Sequence, residues 1–159
     1  MEQRLNVMEK GQRAMKALNG LGAYLSKSPI DKTLLNLVYF RVSQINNCAF
    51  CLDMHAKDLR EEGETEQRLY VMDAWRDAPF YSDKERAAFA WAEAVTKLTN
   101  GQVDEKVYQD ARKQFSEEEL VDLTLAVIAI NGYNRMNIAF PNPDKVGSYH
   151  PGQFAVAAN

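Results

Sequence analysis

Apolar side chains recur every three or four residues along nearly the whole chain. No segment alternates with the period of two that marks a half-buried strand. Val7, Met8, Met15, Leu18, Leu21 and Leu25 share one amphipathic face and predict a first helix, weakened at its end by Gly20 and Gly22. Ser28-Pro29 breaks the chain. Asp31 is placed to cap a second helix carrying Leu34, Leu35, Leu37, Val38, Phe40 and Val42, and Asn46-Asn47 reads as its end. A third helix is predicted from Cys48 to about Glu62 with Gly63 as its stop, and a fourth over about Glu66 to Trp75, ended by Ala78-Pro79. Ser82 with Glu85, and Ser116 with Glu119, have capping-box spacing; they open a fifth helix through Leu98 and a seventh through about Phe140. A sixth runs from Asp104 to Phe115, and 141–159 has no period. The pattern predicts an all-α fold, a compact bundle of about six or seven helices in one domain spanning 1–159, with 141–159 as an irregular tail.

Two helices have a distinctive surface. Ala87-Ala88-Phe89-Ala90-Trp91-Ala92-Glu93-Ala94-Val95 is rich in small residues that allow close helix approach, which places it centrally. Leu120, Leu123, Leu125, Val127, Ile128 and Ile130 are spread around the last long helix. A helix apolar all round is buried all round, and in a small bundle that points to burial against another subunit.

Composition narrows the function. The 159 residues carry a net charge of -3 with 26% charged side chains. There is no clustered Lys/Arg footprint for nucleic acid. The longest apolar runs, Ala87 to Ala92 and Leu125 to Ile130, fall far short of the ~20 residues needed to cross a bilayer. Met1-Glu2-Gln3-Arg4-Leu5 lacks the apolar core of a secretory signal. The reading is a cytoplasmic protein, without nucleic-acid or membrane partners, whose thiols are kept reduced.

A chain of this length folds without a staple, and its two cysteines lie only three residues apart, in Cys48-Ala49-Phe50-Cys51. A disulfide there closes a tiny loop and constrains the unfolded chain little, so the pair invites a chemical explanation. On a helix Cys48, Cys51 and His55 fall at i, i+3 and i+7, on one face over two turns. The cysteines occupy the first turn, where unpaired N–H groups and the helix dipole favour a thiolate, the reactive form. His55 is one turn beyond Cys51, in place to take its proton or stabilise its charge, and a CxxC pair can cycle between dithiol and disulfide. Two plainer readings compete. Free cysteine also packs as a small hydrophobe, and CxxC plus a histidine supplies three zinc ligands, although a structural site wants four and the other histidine, His150, is in the tail.

The segment from Arg41 to His55, Arg41-Val42-Ser43-Gln44-Ile45-Asn46-Asn47-Cys48-Ala49-Phe50-Cys51-Leu52-Asp53-Met54-His55, resembles the core motif of the alkylhydroperoxidase D-like branch of the carboxymuconolactone decarboxylase family. The likeness continues through Glu85 to Trp91, Phe115 to Leu123, Asn131 to Arg135 and Gly147 to Pro151, so it spans about 30–151. It implies an all-α fold, homo-oligomers such as trimers or hexamers, and a thiol-dependent peroxidase that uses no haem, flavin or metal cofactor. Its partners would be a small-molecule peroxide and an external thiol or dithiol reductant. By the same resemblance Cys51 attacks the peroxide, Cys48 resolves the sulfenic acid as a disulfide, and His55 assists deprotonation of Cys51. The family's namesake chemistry, lactone decarboxylation, does not need a cysteine pair. A redox-responsive protein without catalysis is a further reading.

The chain departs from its branch at two positions. A glutamate twelve residues before the first cysteine, which completes a proton relay, is here Asn36, and a histidine found between the cysteines is here Phe50. An amide can orient the imidazole but cannot shuttle its proton as a carboxylate does. Glu93, the one charge within Ala87 to Val95, is the candidate substitute in the relay. Asp53 and Lys57 are read as solvated, and Asn134 and Arg135 as structural. Tyr39, Phe50 and Trp91 are candidates either for a pocket lining or for the core.

Overall fold

The computed structural model describes residues 3–153. Met1 and Glu2 of the N-terminal segment and 154–159 of the predicted tail lie outside the described residues. Among the described residues all regular structure is helical: α1 (Val7–Lys10), α2 (Gln12–Leu25), α3 (Lys32–Ile45), α4 (Ala49–Glu61), α5 (Glu66–Tyr70), α6 (Asp83–Lys97), α7 (Glu105–Gln114) and α8 (Glu117–Ala139). Short 3₁₀ turns cover Met72–Ala74, Thr99–Gly101 and Pro143–Lys145.

The predicted all-α class is observed, with more breaks than the periodicity suggested. The first predicted helix divides at Gly11, whose backbone leaves the helix (φ −109°, ψ 18°). A Cβ at Gly11 would lie 2.8 Å from the Val7 carbonyl oxygen, so the turn needs glycine. Gly20 and Gly22, by contrast, do not end the helix: α2 continues to the buried Leu25. The predicted fourth helix stops at Tyr70, and a tighter 3₁₀ turn follows. Residues three apart eclipse in such a turn, which delivers both Met72 and Trp75 to the core.

Local caps account for most other boundaries. Asp31 accepts from the Leu34 N–H at 2.9 Å and starts α3. Ser82 with Glu85 and Ser116 with Glu119 form reciprocal capping boxes that start α6 and α8. Gly63, at φ 94°, ends α4, with the Glu64 N–H reaching back to the Leu59 carbonyl at 2.9 Å.

α3 is the central element and packs against α4, α6 and α8. It buries Leu34, Leu35, Leu37, Val38, Phe40 and Val42, all predicted core positions. Ala87, Ala88 and Ala92 of α6 are buried, as their small size predicts for a close-packed helix. α8 runs along α2, α3 and α6. At Gly132 it passes close to α2: a Cβ there would meet Leu18 Cδ1 at 3.0 Å. Leu120, Leu123, Val127 and Ile130 of α8 turn inward, whereas Val121 and Ile128 face solvent.

Glu93 ties three segments together. Its Oε1 accepts from Arg41 Nε at 2.9 Å and from Trp75 Nε1 at 2.8 Å, and its Oε2 accepts from Arg76 Nη2 at 2.8 Å. Arg41 also reaches Asp73 and the Gln44 side chain. Burial pushes the Glu93 pKa up, but the hydrogen bonds from Arg76, Trp75 and Arg41 outweigh it and hold the carboxyl below its ordinary value.

The tail departs from expectation in part. Tyr149 is buried and donates to Asp58 Oδ1 at 2.7 Å. Asp53 and Lys57, predicted to be solvated, clasp this segment instead. Asp53 Oδ2 accepts from the Gly147 N–H at 2.9 Å, and Lys57 Nζ donates to the Gly147 and Tyr149 carbonyls at 3.1 Å.

Replacing Glu93 by Ala leaves Arg41 and Trp75 buried without their shared acceptor, so stability should fall by about 3 kcal/mol. Urea unfolding of Glu93→Ala tests this. A loss below about 0.5 kcal/mol, typical of an unimportant surface change, would contradict the structural role.

Candidate functional site

The site begins with a turn. α3 ends at Asn46, Asn47 adopts the left-handed region (φ 55°), and Cys48 is the N-cap of α4. The Cys48 N–H donates to the Ser43 carbonyl and the Asn47 N–H to the Gln44 carbonyl, both at 3.1 Å, the pairing of a Schellman motif. Asparagine tolerates the left-handed conformation better than other side-chain-bearing residues. The Asn46-Asn47 helix end predicted before the first cysteine is therefore present.

A buried amide network fixes this turn against α8. Asn46 Nδ2 donates to Asn131 Oδ1 and to Asn134 Oδ1, each at 2.9 Å. Asn134 is 0% exposed and donates from Nδ2 to Ser43 Oγ at 3.0 Å. Asn131 Nδ2 reaches Thr96 Oγ1 of α6 at 3.0 Å, and Arg135 donates to Asn131 Oδ1 at 2.6 Å. Asn134 and Arg135 thus have the structural part expected of them.

Cys48 and Cys51, each 1% exposed, are joined as a disulfide with a Cα–Cα distance of 5.4 Å. The Cys48 side chain makes no capping hydrogen bond to the first-turn N–H groups of α4. His55 follows one turn beyond Cys51 and is 6% exposed. Its Nδ1 lies 2.8 Å from Asn36 Oδ1. A carbonyl oxygen only accepts, so Nδ1 carries the hydrogen and Nε2 holds the lone pair. Nε2 is buried and has no hydrogen-bond partner among the described residues. Burial lowers the His55 pKa from 6.5 to about 3, so the imidazole is neutral.

Cys51 and His55 line a cavity of about 410 Å³. Tyr39, Phe50, Met54 and Tyr133 surround them, and α1 and α2 contribute Met8 and Met15. The Tyr39 ring is 5.5 Å from the His55 ring, and burial pushes its hydroxyl up to about 12. Lys145 Nζ lies 5.8 Å from the Phe50 ring centre. Of the three aromatic candidates, Tyr39 and Phe50 line the cavity. Trp91 does not: it bonds Thr124 Oγ1 at 3.0 Å and packs on Tyr108.

The structure therefore brings Cys48, Cys51, His55 and Asn36 together and leaves Glu93 elsewhere. Both carboxylate oxygens of Glu93 are taken by Arg41, Trp75 and Arg76, and the residue meeting His55 is Asn36. One site residue escaped the sequence reading. Asn137 of α8 donates from Nδ2 to Cys51 Sγ at 3.7 Å. Its trace in the sequence is the series Asn131, Asn134, Asn137, three poor helix formers at intervals of three on one helix.

This fold and this cysteine–histidine helix define a carboxymuconolactone decarboxylase family protein, and that family's model matches residues 10–94. The chain belongs to that family. It is 41% identical over 142 residues to the uncharacterized protein YdfG of Bacillus subtilis (strain 168), covering 89% of this chain and 97% of that one. A solved protein of unknown function from Agrobacterium tumefaciens, proposed to be the antioxidant defence protein AhpD, superposes with a TM-score of 0.85 at 37% identity, covering 94% and 99% of the two chains. An uncharacterized peroxidase-related protein from Ralstonia eutropha JMP134, with an alkylhydroperoxidase AhpD core, shares the fold at 18% identity and a TM-score of 0.73, covering 88% of this chain and 76% of that one. Among the described residues no helix is long and apolar enough to cross a membrane.

Nitrogen NMR should find His55 in the Nδ1–H tautomer, with no titration from about pH 8 to about pH 5. The unfolded chain takes up this proton below its ordinary value of 6.5, whereas the folded chain refuses it until about 3. This contribution to stability is therefore complete above pH 6.5 and falls by about 1.4 kcal/mol per pH unit between the two values. Urea midpoints across that range, compared with those of His55→Leu, read it. A His55 titration near its ordinary value would refute the assignment.

Proposed function

We propose that the chain is a thiol-dependent peroxidase that reduces organic hydroperoxides by cycling Cys48 and Cys51 between dithiol and disulfide. The observation that carries this reading is the placement of Cys51 on the wall of an apolar cavity, bonded to its resolving partner and one turn from a base nitrogen with no other ligand. A cavity of about 410 Å³ falls in the range of sites for small organic molecules and far exceeds what hydrogen peroxide fills.

The Cys51 thiol gives its proton towards His55 Nε2, and the thiolate attacks the terminal peroxide oxygen. The O–O bond breaks, sulfur becomes a sulfenic acid, and the leaving alkoxide takes up the proton as an alcohol. The Cys48 thiol then gives up its proton and attacks the Cys51 sulfur, and the sulfenic hydroxyl leaves with that proton as water. An external thiol or dithiol restores both thiols. With pKa about 3, His55 is a weak base that directs the proton without storing it. This and the amide at Asn36 favour slow turnover, and they keep a second reading in view: a redox-responsive protein whose disulfide forms without sustained catalysis.

We also propose a homo-oligomer, because Val121 and Ile128 of α8 face solvent, and the family resemblance sets its size at three or six chains. Sedimentation should give a mass of three or six chains, and a monomer at all concentrations would refute it.

Reduced protein treated with excess organic hydroperoxide should lose both thiols and two hydrogens of mass. Cys51→Ser should abolish peroxide consumption, while Cys48→Ser should accumulate a trappable sulfenic acid on Cys51. Retention of both thiols would sink the peroxidase reading. Clean disulfide formation without multiple turnovers, given a dithiol reductant, would favour the redox-responsive protein.

A further inference from the structure

Among the described residues no charged group hydrogen-bonds either sulfur, and the cation that lines the cavity, Lys145, lies against the Phe50 ring. His55 is neutral, its partner Asn36 is an amide, and the buried Arg41 is committed to Glu93, Asp73 and Gln44. Among the described residues one side-chain hydrogen bond reaches either sulfur, from Asn137 Nδ2 to Cys51 Sγ at 3.7 Å. The orientation of that amide is fixed independently. Nδ2 also donates to the Tyr133 carbonyl at 2.9 Å, one turn back on α8, and an amide oxygen in that place would face another acceptor. The nitrogen carries two hydrogens: one goes to Tyr133 and the second serves the sulfur.

The register of this contact is fixed too. Asn134, one turn before Asn137 on α8, bonds Ser43 and Asn46 beside the turn that leads into Cys48. The latch that sets the start of α4 therefore also sets Asn137 against Cys51.

We propose that Asn137 is a catalytic residue that donates to the Cys51 sulfur and holds the negative charge there when the thiol ionises. This rests on the peroxidase reading. In the attacking step the Asn137 N–H stabilises the Cys51 thiolate as the S–O bond forms and the O–O bond breaks. In the resolving step the same N–H faces the Cys51 sulfur as Cys48 displaces its oxygen. When the external dithiol reopens the disulfide, it stabilises Cys51 as the departing thiolate. Asn137 works together with the N-terminal N–H groups of α4, and both are uncharged donors.

The test measures Cys51 ionisation in a Cys48→Ser background, from the pH dependence of iodoacetamide alkylation and from ultraviolet thiolate absorbance. Loss of one hydrogen bond to a charged group predicts a rise in the Cys51 pKa of about one to two units in Asn137→Ala. Alkylation at pH values below the midpoint should slow about tenfold or more. Asn137→Asp, the same size with a carboxylate replacing the donor, should raise it further. A merely structural role at the Tyr133 carbonyl would lower the unfolding midpoint and leave the alkylation midpoint in place. If Asn137→Ala does not fold, the Asp variant reads the same quantity.

An unchanged midpoint in a folded variant, whether or not the wild type turns over peroxide, overturns the assignment. A raised midpoint supports it. If the wild type shows no peroxide turnover while the midpoint rises, the peroxidase reading fails and the amide–sulfur contact stands.

Discussion

The site depends on the turn between α3 and α4. Three residues, Asn46, Asn47 and the N-cap Cys48, separate the central helix α3 from α4, which carries Cys51 and His55. Asn47 has to sit at φ 55°, a conformation that costs a side-chain-bearing residue about 1 kcal/mol. The cost is offset locally by the two backbone bonds of the Schellman motif and globally by the Asn46–Asn131–Asn134–Ser43 amide network. Each amide is buried or half-buried, so each missing partner would leave an unpaired polar group in a low-dielectric interior. That penalty makes the turn unique. With the turn fixed, Cys48 becomes the N-cap, Cys51 enters the first turn, and His55 points the same way one turn on.

The same network explains why polar residues accumulate on a helix that otherwise reads as core. Asn131 and Asn134 serve the turn, and Asn137, one step further on the same face, reaches the sulfur. α8 is thus both a packing element and a polar template. Its approach to α2 at Gly132 and its contacts with α3 and α6 hold that template in place. Glu93 belongs to a separate polar centre. Its ion pair with Arg41 ties α3 to α6, and through Trp75 and Arg76 it orders the irregular stretch before α6.

Where caps and breakers act locally, the fold was legible in the sequence. Asp31, the Ser82–Glu85 and Ser116–Glu119 boxes, Asn46-Asn47 and Gly63 each mark a real boundary, because each satisfies backbone groups within a few residues. Gly11 and the end of α5 were missed, because those breaks follow from steric fit at Val7 and from the demand of Met72 and Trp75 for the core. At the site, the shared face of Cys48, Cys51 and His55 was legible from helical spacing, whereas their roles rested on the family resemblance. Asn36 was noticed as a departure from a family pattern, and its bond to His55 required the packing of α3 on α4. Glu93 looked available because its partners come from positions 17 to 52 residues away. Asn137 was invisible for the same reason: its sulfur contact crosses 86 residues. Asp53 and Lys57 looked solvated because the chain that covers them returns about 90 residues later.

On the proposed peroxidase reading, the relay is an uncharged one. A carboxylate at position 36 would hold a protonated imidazole by charge, whereas the Asn36 amide fixes only its tautomer and direction. The imidazole then stays neutral down to about pH 3, and its free Nε2 can accept a proton but not keep it. Cys51 therefore lacks the imidazolium partner that depresses thiol pKa values most strongly. The donors nearest the sulfur are dipolar: the start of α4 and, in the role proposed above, the N–H of Asn137. Two asparagines divide the work by using opposite ends of the same group, Asn36 through its oxygen towards His55 and Asn137 through its nitrogen towards Cys51. Neither end titrates. Above about pH 3 the imidazole stays neutral and neither amide titrates. On the proposed peroxidase reading, that arrangement gives up the rate a charged relay supplies, and the contact to the sulfur depends on geometry set by α8.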